Sequence, residues 1–132
     1  MGKVNTFEDL EVWQKASDIA VDAYGITSTG RLSKDYGLKD QFQRAGISIS
    51  NNIAEGFEYD NNKDFIKFLR FAKGSTGEVR NLLIFFKRIS YITENDFEMM
   101  FDRVIILSKQ LGSFIKYLKE YESKKKSPKR ES

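Results

Sequence analysis

The chain has 132 residues, which suits a single domain with one hydrophobic core, and it contains no Cys and no His. Disulfides and thiolate metal sites are therefore excluded, and the commonest general base and metal ligand is missing, so most enzyme classes are disfavoured. The net charge of +3 comes from residues 123–132, which hold five basic residues and one acidic residue, whereas residues 1–122 have a net charge of −1.

The first predicted helix covers about residues 7–26. Thr6 followed by Asp9 resembles a capping box, with Asp in place of Glu, and it marks a helix start near Phe7. The residues that share one face of this helix are Leu10, Trp13, Ser17, Ala20 and Tyr24. The stretch TSTGRLSKDYG that follows collects Ser, Thr and two glycines, so it predicts a loop.

The second segment contains GISISNNIAEG, residues 46–56, which can be interpreted as a strand, a catalytic loop or a helix. The positions that recur at alternating steps of four and three are Leu38, Phe42, Ala45, Ile49, Asn52 and Gly56. This is the stripe that a helix presents to a partner helix, and no turn signal separates ISIS from the preceding DQFQRA. The pattern therefore predicts a helix with Asn52 at a core position.

Two further helices are predicted from their N-terminal caps. Asn61 or Asn62 serves as the N-cap of the third helix, with Asp64 in its first turn, and Thr93 with Asp96 opens the fourth. The third stripe is Phe65, Phe68, Ala72, Ser75, Val79, Leu82, Phe86 and Ile89. The fourth stripe is Phe97, Phe101, Val104, Ser108, Leu111, Ile115 and Leu118. Both alternate by three and four, which is typical of packed helices.

The predicted fold is all-α, an antiparallel up-down-up-down four-helix bundle, because short connections make sequential helices antiparallel neighbours. The bundle takes residues 1–122, and residues 123–132 are predicted to be a disordered basic tail, since they have nothing apolar to bury. No stretch approaches the ~18 to 20 apolar residues of a membrane span, and no signal peptide is evident. We therefore expect a soluble, cytoplasmic protein.

Helices three and four have more apolar positions than one stripe. The additional ones are Phe71, Ile84 and Phe85 on helix three, and Met100, Leu107, Phe114 and Tyr121 on helix four. A large apolar surface on a small protein usually marks an interface, and eleven Phe and six Tyr add to it. We therefore expect a homo-oligomer, with a second copy of the chain as the partner.

A polar line on helix two runs beside its apolar stripe: Arg44, Ser48, Asn52 and Glu55. A catalytic interpretation makes Ser48 a nucleophile and Glu55 its base or acid, but a helix interior has its backbone N–H groups already bonded and so supplies no oxyanion donors. A metal interpretation rests on Glu55, Glu78 and scattered Asp residues. The favoured interpretation is an interhelical hydrogen-bonded seam with Ser75 and Glu78 of GSTGE, in which Asn52 fixes register and partner number. The small residues Ala45, Gly46 and Gly56, and the glycines of GSTG, then mark close packing.

Basic residues give a second candidate site. Four lie on one ridge of helix three: Lys63, Lys67, Arg70 and Lys73. Others lie near the start of helix two (Arg31, Lys34, Lys39 and Arg44) and in the tail (Lys124, Lys125, Lys126, Lys129 and Arg130). A phosphate backbone could follow the ridge, but lysines at helical spacing are also ordinary solvated surface, so both interpretations stay open.

Three segments together carry a family resemblance: FEDLEVWQKA, YGLKDQFQRAGISISNNIAEG and FLRFAKGSTGEV. Across residues 7–121 the chain resembles the four-helix-bundle proteins encoded by intervening sequences in bacterial 23S rRNA genes. The resemblance implies a pentameric ring without enzyme activity, cofactor or small-molecule substrate. Related members are accessory proteins of diversity-generating retroelements, in which a basic pentamer binds nucleic acid and a reverse transcriptase. The body of this chain is near neutral, whereas those relatives are strongly basic.

Three functions follow as hypotheses. The first is a non-catalytic oligomeric scaffold for a macromolecular partner. The second is an RNA-binding or DNA-binding accessory protein that acts with a ribonucleoprotein or a reverse transcriptase. The third, a hydrolase or metal enzyme that uses Glu55 and Glu78, is the least favoured.

Overall fold

The computed structural model describes residues 3–126. Its elements in chain order are a 3₁₀ turn at Phe7–Asp9, α1 at Glu11–Ile26, a 3₁₀ turn at Arg31–Lys34, α2 at Tyr36–Glu58, α3 at Asn62–Arg88 and α4 at Glu94–Lys126. This part of the chain contains no strand. GISISNNIAEG lies inside α2, so the helical interpretation of that stretch is confirmed and the strand interpretation is wrong.

The predicted start of the first helix is four residues too early. One carboxylate oxygen of Asp9 accepts hydrogen bonds from the backbone N–H groups of Asn5 (2.9 Å) and Thr6 (3.0 Å). These bonds close a 3₁₀ turn, after which Leu10 is extended and α1 begins at Glu11. The same two donors, Asn5 first, hold the pKa of the Asp9 carboxyl below its ordinary value, because they stabilise the charged form.

The N-caps of α3 and α4 are those that the sequence predicts. The Asn61 side chain accepts from the N–H of Asp64 at 2.8 Å, and the Thr93 hydroxyl accepts from the N–H of Asp96 at 3.1 Å. Each cap satisfies a backbone donor that the first turn of a helix leaves free. Local chemistry therefore fixes where these two helices begin.

The connection between α1 and α2 is less open than the predicted loop. It contains the Arg31–Lys34 turn, and the Leu32 side chain in that turn is completely buried. Asp35 then caps α2, which starts at Tyr36. Leu32 therefore closes one end of the core, a role that no periodic pattern in the sequence indicates.

Contacts between the helices show that neighbours run in opposite directions. Within each pair of neighbouring helices, the contact that lies later along one helix lies earlier along the other. The pairs are Ala23 with Gly46 and Thr27 with Gln43 for α1 and α2, Phe42 with Phe86 and Phe57 with Phe65 for α2 and α3, and Arg80 with Phe101 and Phe65 with Phe114 for α3 and α4. The four-helix bundle predicted from the sequence is confirmed, and these pairs give its up-down-up-down course.

The core lies along the bundle axis. At its centre the rings of Phe42 and Phe86 meet edge to face, with centroids 5.0 Å apart, and both are completely buried. Burial differs from the predicted stripes at several positions. On α1 the predicted face is wrong at Tyr24, which is exposed, because the neighbouring Ala23 is buried instead. On α2 Ile53 is buried while Asn52 is half-buried, and on α3 Thr76 is buried while Ser75 is half-buried. The prediction that Asn52 occupies a core position is therefore wrong, because the neighbouring Ile53 turns inward instead.

The additional apolar residues of helix four are largely part of this core. Met100 and Leu107 are completely buried within the single chain, and Phe114 is half-buried against the core. Their burial has a geometric reason, since α4 packs against both α1 and α3 and needs a wide apolar face. These positions therefore give no argument for an oligomer. The additional apolar residues that remain exposed are Tyr121 on α4 and Phe71, Ile84 and Phe85 on α3.

Two of the four glycines singled out from the sequence lie at close helix contacts. A Cβ added to Gly56 would lie 2.5 Å from the Phe68 Cβ, and one added to Gly46 would lie 3.2 Å from the Ala23 Cβ. Gly74 and Gly77 have nothing within 4 Å. The predicted close packing is therefore found at Gly56 and Gly46, while the described residues place nothing against the glycines of GSTG.

Helix α4 continues to Lys126, four residues past the predicted end of the bundle. Residues 123–126 are therefore helical and not disordered, and residues 127–132 of the predicted tail lie outside the described residues. Within residues 3–126, no helix combines the length and the hydropathy that crossing a membrane requires.

Candidate functional site

The centre of the predicted seam is a hydrogen-bonded trio of Ser48, Asn52 and Ser75. The hydroxyl oxygens of Ser48 on α2 and Ser75 on α3 are 2.8 Å apart, and either hydroxyl can donate. The Asn52 amide donates to the Ser48 carbonyl at 2.8 Å and to the Ser48 hydroxyl at 3.2 Å, so it bonds within its own helix. All three side chains are half-buried. Ser48 thus connects Asn52 to the neighbouring helix.

The charged residues of the predicted seam do not join this trio. Arg44 is turned to solvent, with 79% of its side chain exposed, and its Nε pairs with Asp40 one turn back on α2 at 2.9 Å. Glu55 and Glu78 are exposed, and the described part of the chain gives neither an ion pair nor a side-chain hydrogen bond. The structure therefore brings together three of the six predicted residues and leaves the other three on the surface.

The trio lacks the groups that nucleophilic or metal chemistry needs. The Ser48 hydroxyl contacts another hydroxyl and an amide, neither of which is a general base. The described residues contain no group of three or more acidic side chains that could hold a metal ion. Two surface grooves, of about 450 and 650 Å³, lie along α1, whereas the trio lies between α2 and α3. Its chemistry is that of a hydrogen-bonded contact between two helices.

An aromatic patch, consisting of Tyr59, Phe68 and Phe71, lies at one end of the trio. The rings of Tyr59 and Phe68 stack with centroids 5.1 Å apart, and Phe68 meets Phe71 edge to face at 5.7 Å. Tyr59 is 52% and Phe71 50% exposed, which is unusual for large rings on a small domain. The close approach at Gly56 brings the two helices together beside this patch. We call the aromatic patch and the trio together the α2–α3 face.

The predicted basic ridge divides in the structure. Lys63, Lys67 and Arg70 are exposed on the outer side of α3, and the Lys67 Nζ lies 5.9 and 6.0 Å from the ring centroids of Phe68 and Phe71. Lys73 turns towards α4 instead, where its Nζ donates to the Ser108 hydroxyl at 3.0 Å. The reason is geometric. Three residues are less than one helical turn of about 3.6 residues, so the Lys73 side chain leaves α3 in a different direction from Arg70 and points towards α4.

The other predicted basic residues lie elsewhere. Arg31, Lys34 and Lys39 lie in and just after the second 3₁₀ turn. Lys124 and Lys125 are exposed near the end of α4, which closes with Lys126, while Lys129 and Arg130 lie outside the described residues. The sequence prediction missed Lys109, Lys116 and Lys119, three exposed residues of α4 on the flank next to Ser108 and Gly112, which contact Lys73 of α3. Their spacing of seven and three residues shows in the sequence that they share one side of a helix. Whether that side forms a binding site depends on which helix lies beside it.

Comparisons with known proteins agree with this architecture. Residues 8–113 match the family described as 23S rRNA-intervening sequence protein. The chain is also similar to a crystal structure of a protein with unknown function from the S23 ribosomal protein family of Bacteroides thetaiotaomicron. The identity is 29% and the TM-score 0.73, over 80% of this chain and 98% of that one. A search of curated proteins gave no match. Because the family match covers most of the chain, this protein belongs to the 23S rRNA-intervening sequence protein family.

Proposed function

We propose that this chain is a non-enzymatic, homo-oligomeric scaffold of the cytoplasm that presents its outer surface to a macromolecular partner. The observation that carries the proposal is the α2–α3 face, where two half-exposed aromatic rings lie beside a half-buried polar trio. The resemblance noted in the sequence supports a pentamer as the assembly. The lack of Cys fits a reducing compartment.

The α2–α3 face has the composition of an interface. Aromatic rings supply large contact area at low entropic cost, and they are enriched where proteins associate. The neighbouring hydroxyls of Ser48 and Ser75 retain hydrogen-bonding capacity, since the Ser75 oxygen can accept a further bond and one hydroxyl hydrogen of the pair is not used in their contact. A second copy that covered Tyr59 and Phe71 would therefore bury apolar area and find polar partners that define one orientation.

Light scattering on a charged variant of the face tests the oligomer. Phe71→Glu places a carboxylate in the aromatic patch, so we expect a lower molecular mass than wild type with an unchanged far-UV circular dichroism spectrum. Tyr36→Glu is the matched control, because Tyr36 is 76% exposed at the far end of α2. Equal masses for the Phe71 variant and the wild type would contradict the proposed interface.

The absence of enzyme activity is part of the proposal. It is supported by the Ser48 contacts, which include no base, and by the positions of Glu55 and Glu78, which are both exposed and separate from the trio. Calorimetric titration with divalent metals tests the opposing hypothesis of a metal hydrolase. No heat beyond dilution is expected, and saturable binding that Glu55→Gln abolishes would overturn this part of the proposal.

A second candidate function is nucleic-acid binding as an accessory to a ribonucleoprotein or a reverse transcriptase. The observation that favours it is that Lys63, Lys67 and Arg70 are exposed and form no ion pair within residues 3–126. Free surface cations can neutralise phosphates and release counterions. Steep salt dependence of binding tests this function, and a flat response would remove it.

A further inference from the structure

We propose that the groove between the first half of α3 and the second half of α4 binds the phosphodiester backbone of a nucleic acid without regard to sequence. The basic groove has Lys73 on α3 facing Lys109, Lys116 and Lys119 on α4, and Lys63 and Arg70 lie on its outer rim along α3. This inference rests on the second proposed function and not on the oligomer. It adds three residues of α4 that the sequence prediction did not include.

Charge is strongly segregated in the folded chain. Residues 62–73 and 108–119 hold seven basic residues and one acidic residue, Asp64. The rest of residues 1–122 hold ten basic and seventeen acidic residues, which explains the near-neutral total. A net charge of −1 for the body therefore hides one cationic region within an acidic surface. Such a region attracts polyanions even when the whole domain does not.

The register of α3 and α4 places the two basic rows side by side. Lys73 donates to Ser108, and the rings of Phe65 and Phe114 meet edge to face with centroids 5.3 Å apart. Lys73 is thus level with the start of the α4 row, and Lys63 is level with its end. Each row spans ten residues, or about 15 Å at 1.5 Å per residue. The rows flank one groove between packed helices, whose axes are about 8–10 Å apart.

The six cations are available for a ligand. All are exposed, and none of them forms an ion pair in the described part of the chain. Lys73 is held in place, because its side chain lies against Gly112 of α4. A Cβ added to Gly112 would be 3.4 Å from the Lys73 Cε. Its hydrogen bond to the neutral Ser108 hydroxyl leaves the positive charge uncompensated. The floor of the groove therefore carries an ordered, unneutralised cation.

The groove suits phosphates better than bases or a protein partner. Its α4 side is Lys109, Gly112, Lys116 and Lys119, with steps of three, four and three and no aromatic ring on which a base could stack. The six groove positions are all basic, whereas protein interfaces need apolar anchors at their centre. Backbone contacts of this kind fix a nucleic acid in position but do not read its sequence.

The salt dependence of binding gives the expected magnitude. Six phosphate contacts predict a slope of about −5 for log affinity against log salt, or about a 10³-fold loss between 50 and 200 mM. The triple variant Lys109→Gln, Lys116→Gln, Lys119→Gln leaves three contacts. Its slope should be about −3, with about a 40-fold loss over the same range. Its affinity at low salt should fall at least tenfold.

Fluorescence anisotropy with the full chain and a labelled RNA duplex two helical turns long is the measurement. The matched comparison is Arg31→Gln, Lys34→Gln, Lys39→Gln, which removes the same charge from the other basic cluster named from the sequence, near the start of α2. Equal losses in the two triple variants would overturn the groove, because net charge alone would then explain binding. Competition by poly-glutamate as strong as that by an unlabelled duplex would overturn the choice of a phosphate ligand.

Light scattering on the groove variant separates this inference from the oligomer. We expect the wild-type mass, since the six cations lie outside the α2–α3 face. A wild-type duplex affinity in a Phe71→Glu variant that has lost the assembly would count for the groove and show that duplex binding does not need the oligomer. A variant with the wild-type mass, salt slope and affinity would count against the groove alone.

Discussion

Substitution of Gly56 by Ala should destabilise the bundle, although alanine is the better helix former. The added Cβ would lie 2.5 Å from the Phe68 Cβ and 3.2 Å from the Phe65 Cδ1. The Phe68 Cβ is attached directly to the α3 backbone, so relief requires α3 to move away from α2. Overpacking of this kind costs about 1–3 kcal/mol, and we place this contact at the upper end. The gain in helix propensity is about 1 kcal/mol, which leaves a net loss of about 2 kcal/mol.

Urea denaturation followed by circular dichroism measures the difference at one fixed protein concentration. Gly77→Ala is the control, because Gly77 is also inside α3 but has nothing within 4 Å. It should gain about 1 kcal/mol from helix propensity. If Gly56→Ala were stabilised as much as Gly77→Ala, the argument that α2 and α3 depend on a close approach at Gly56 would be refuted.

Three further predictions concern the core, the first turn and the trio. Phe42→Ala should lower the free energy of unfolding by about 3–5 kcal/mol in urea titrations, since the ring is completely buried against Phe86. The Asp9 carboxyl, whose pKa is lowered by N–H donors, should stabilise the first turn above its unfolded pKa and lose that effect as pH falls through its folded pKa, which an NMR titration would show. Asn52→Leu should keep its helicity but change the subunit number in light scattering, and an unchanged assembly would contradict a register role for the trio.

The sequence predicts the bundle well because its signals are local. Periodicity of apolar residues and the caps at Asn61 and Thr93 act within one or two turns, and the structure confirms both caps. The start of α1 was predicted four residues early, since the Thr6 and Asp9 pattern also fits a 3₁₀ turn and the break at Leu10 has no signal of its own.

The stripes show where periodicity alone reaches its limit. Between Ile49 and Gly56 the buried stripe of the helix can include either Asn52 or Ile53, and both choices preserve helical spacing. The structure buries Ile53, because the stripe must face two neighbouring helices and not one. A single sequence does not contain the direction of those neighbours.

The candidate sites depend on register between distant segments. The contact of Ser48 with Ser75 joins residues 27 positions apart, and Lys73 reaches Ser108 over 35 positions. The predicted seam named Ser75 as a partner of the α2 polar line, and Ser48 does contact it. Helical spacing could not set aside Glu55 and Glu78, which are exposed. The basic groove could not be predicted for the same reason. Lys109, Lys116 and Lys119 form a groove only together with α3, and the sequence does not show that α3 lies beside them.

The mass of the wild-type chain in solution tests the scaffold proposal most directly. Light scattering across a wide range of protein concentrations should give a homo-oligomer, and for the proposed pentamer about 77 kDa, five times the 15.3 kDa of one chain. A mass of 15.3 kDa at every concentration would contradict the account, because the exposed rings of the α2–α3 face would then belong to a monomer.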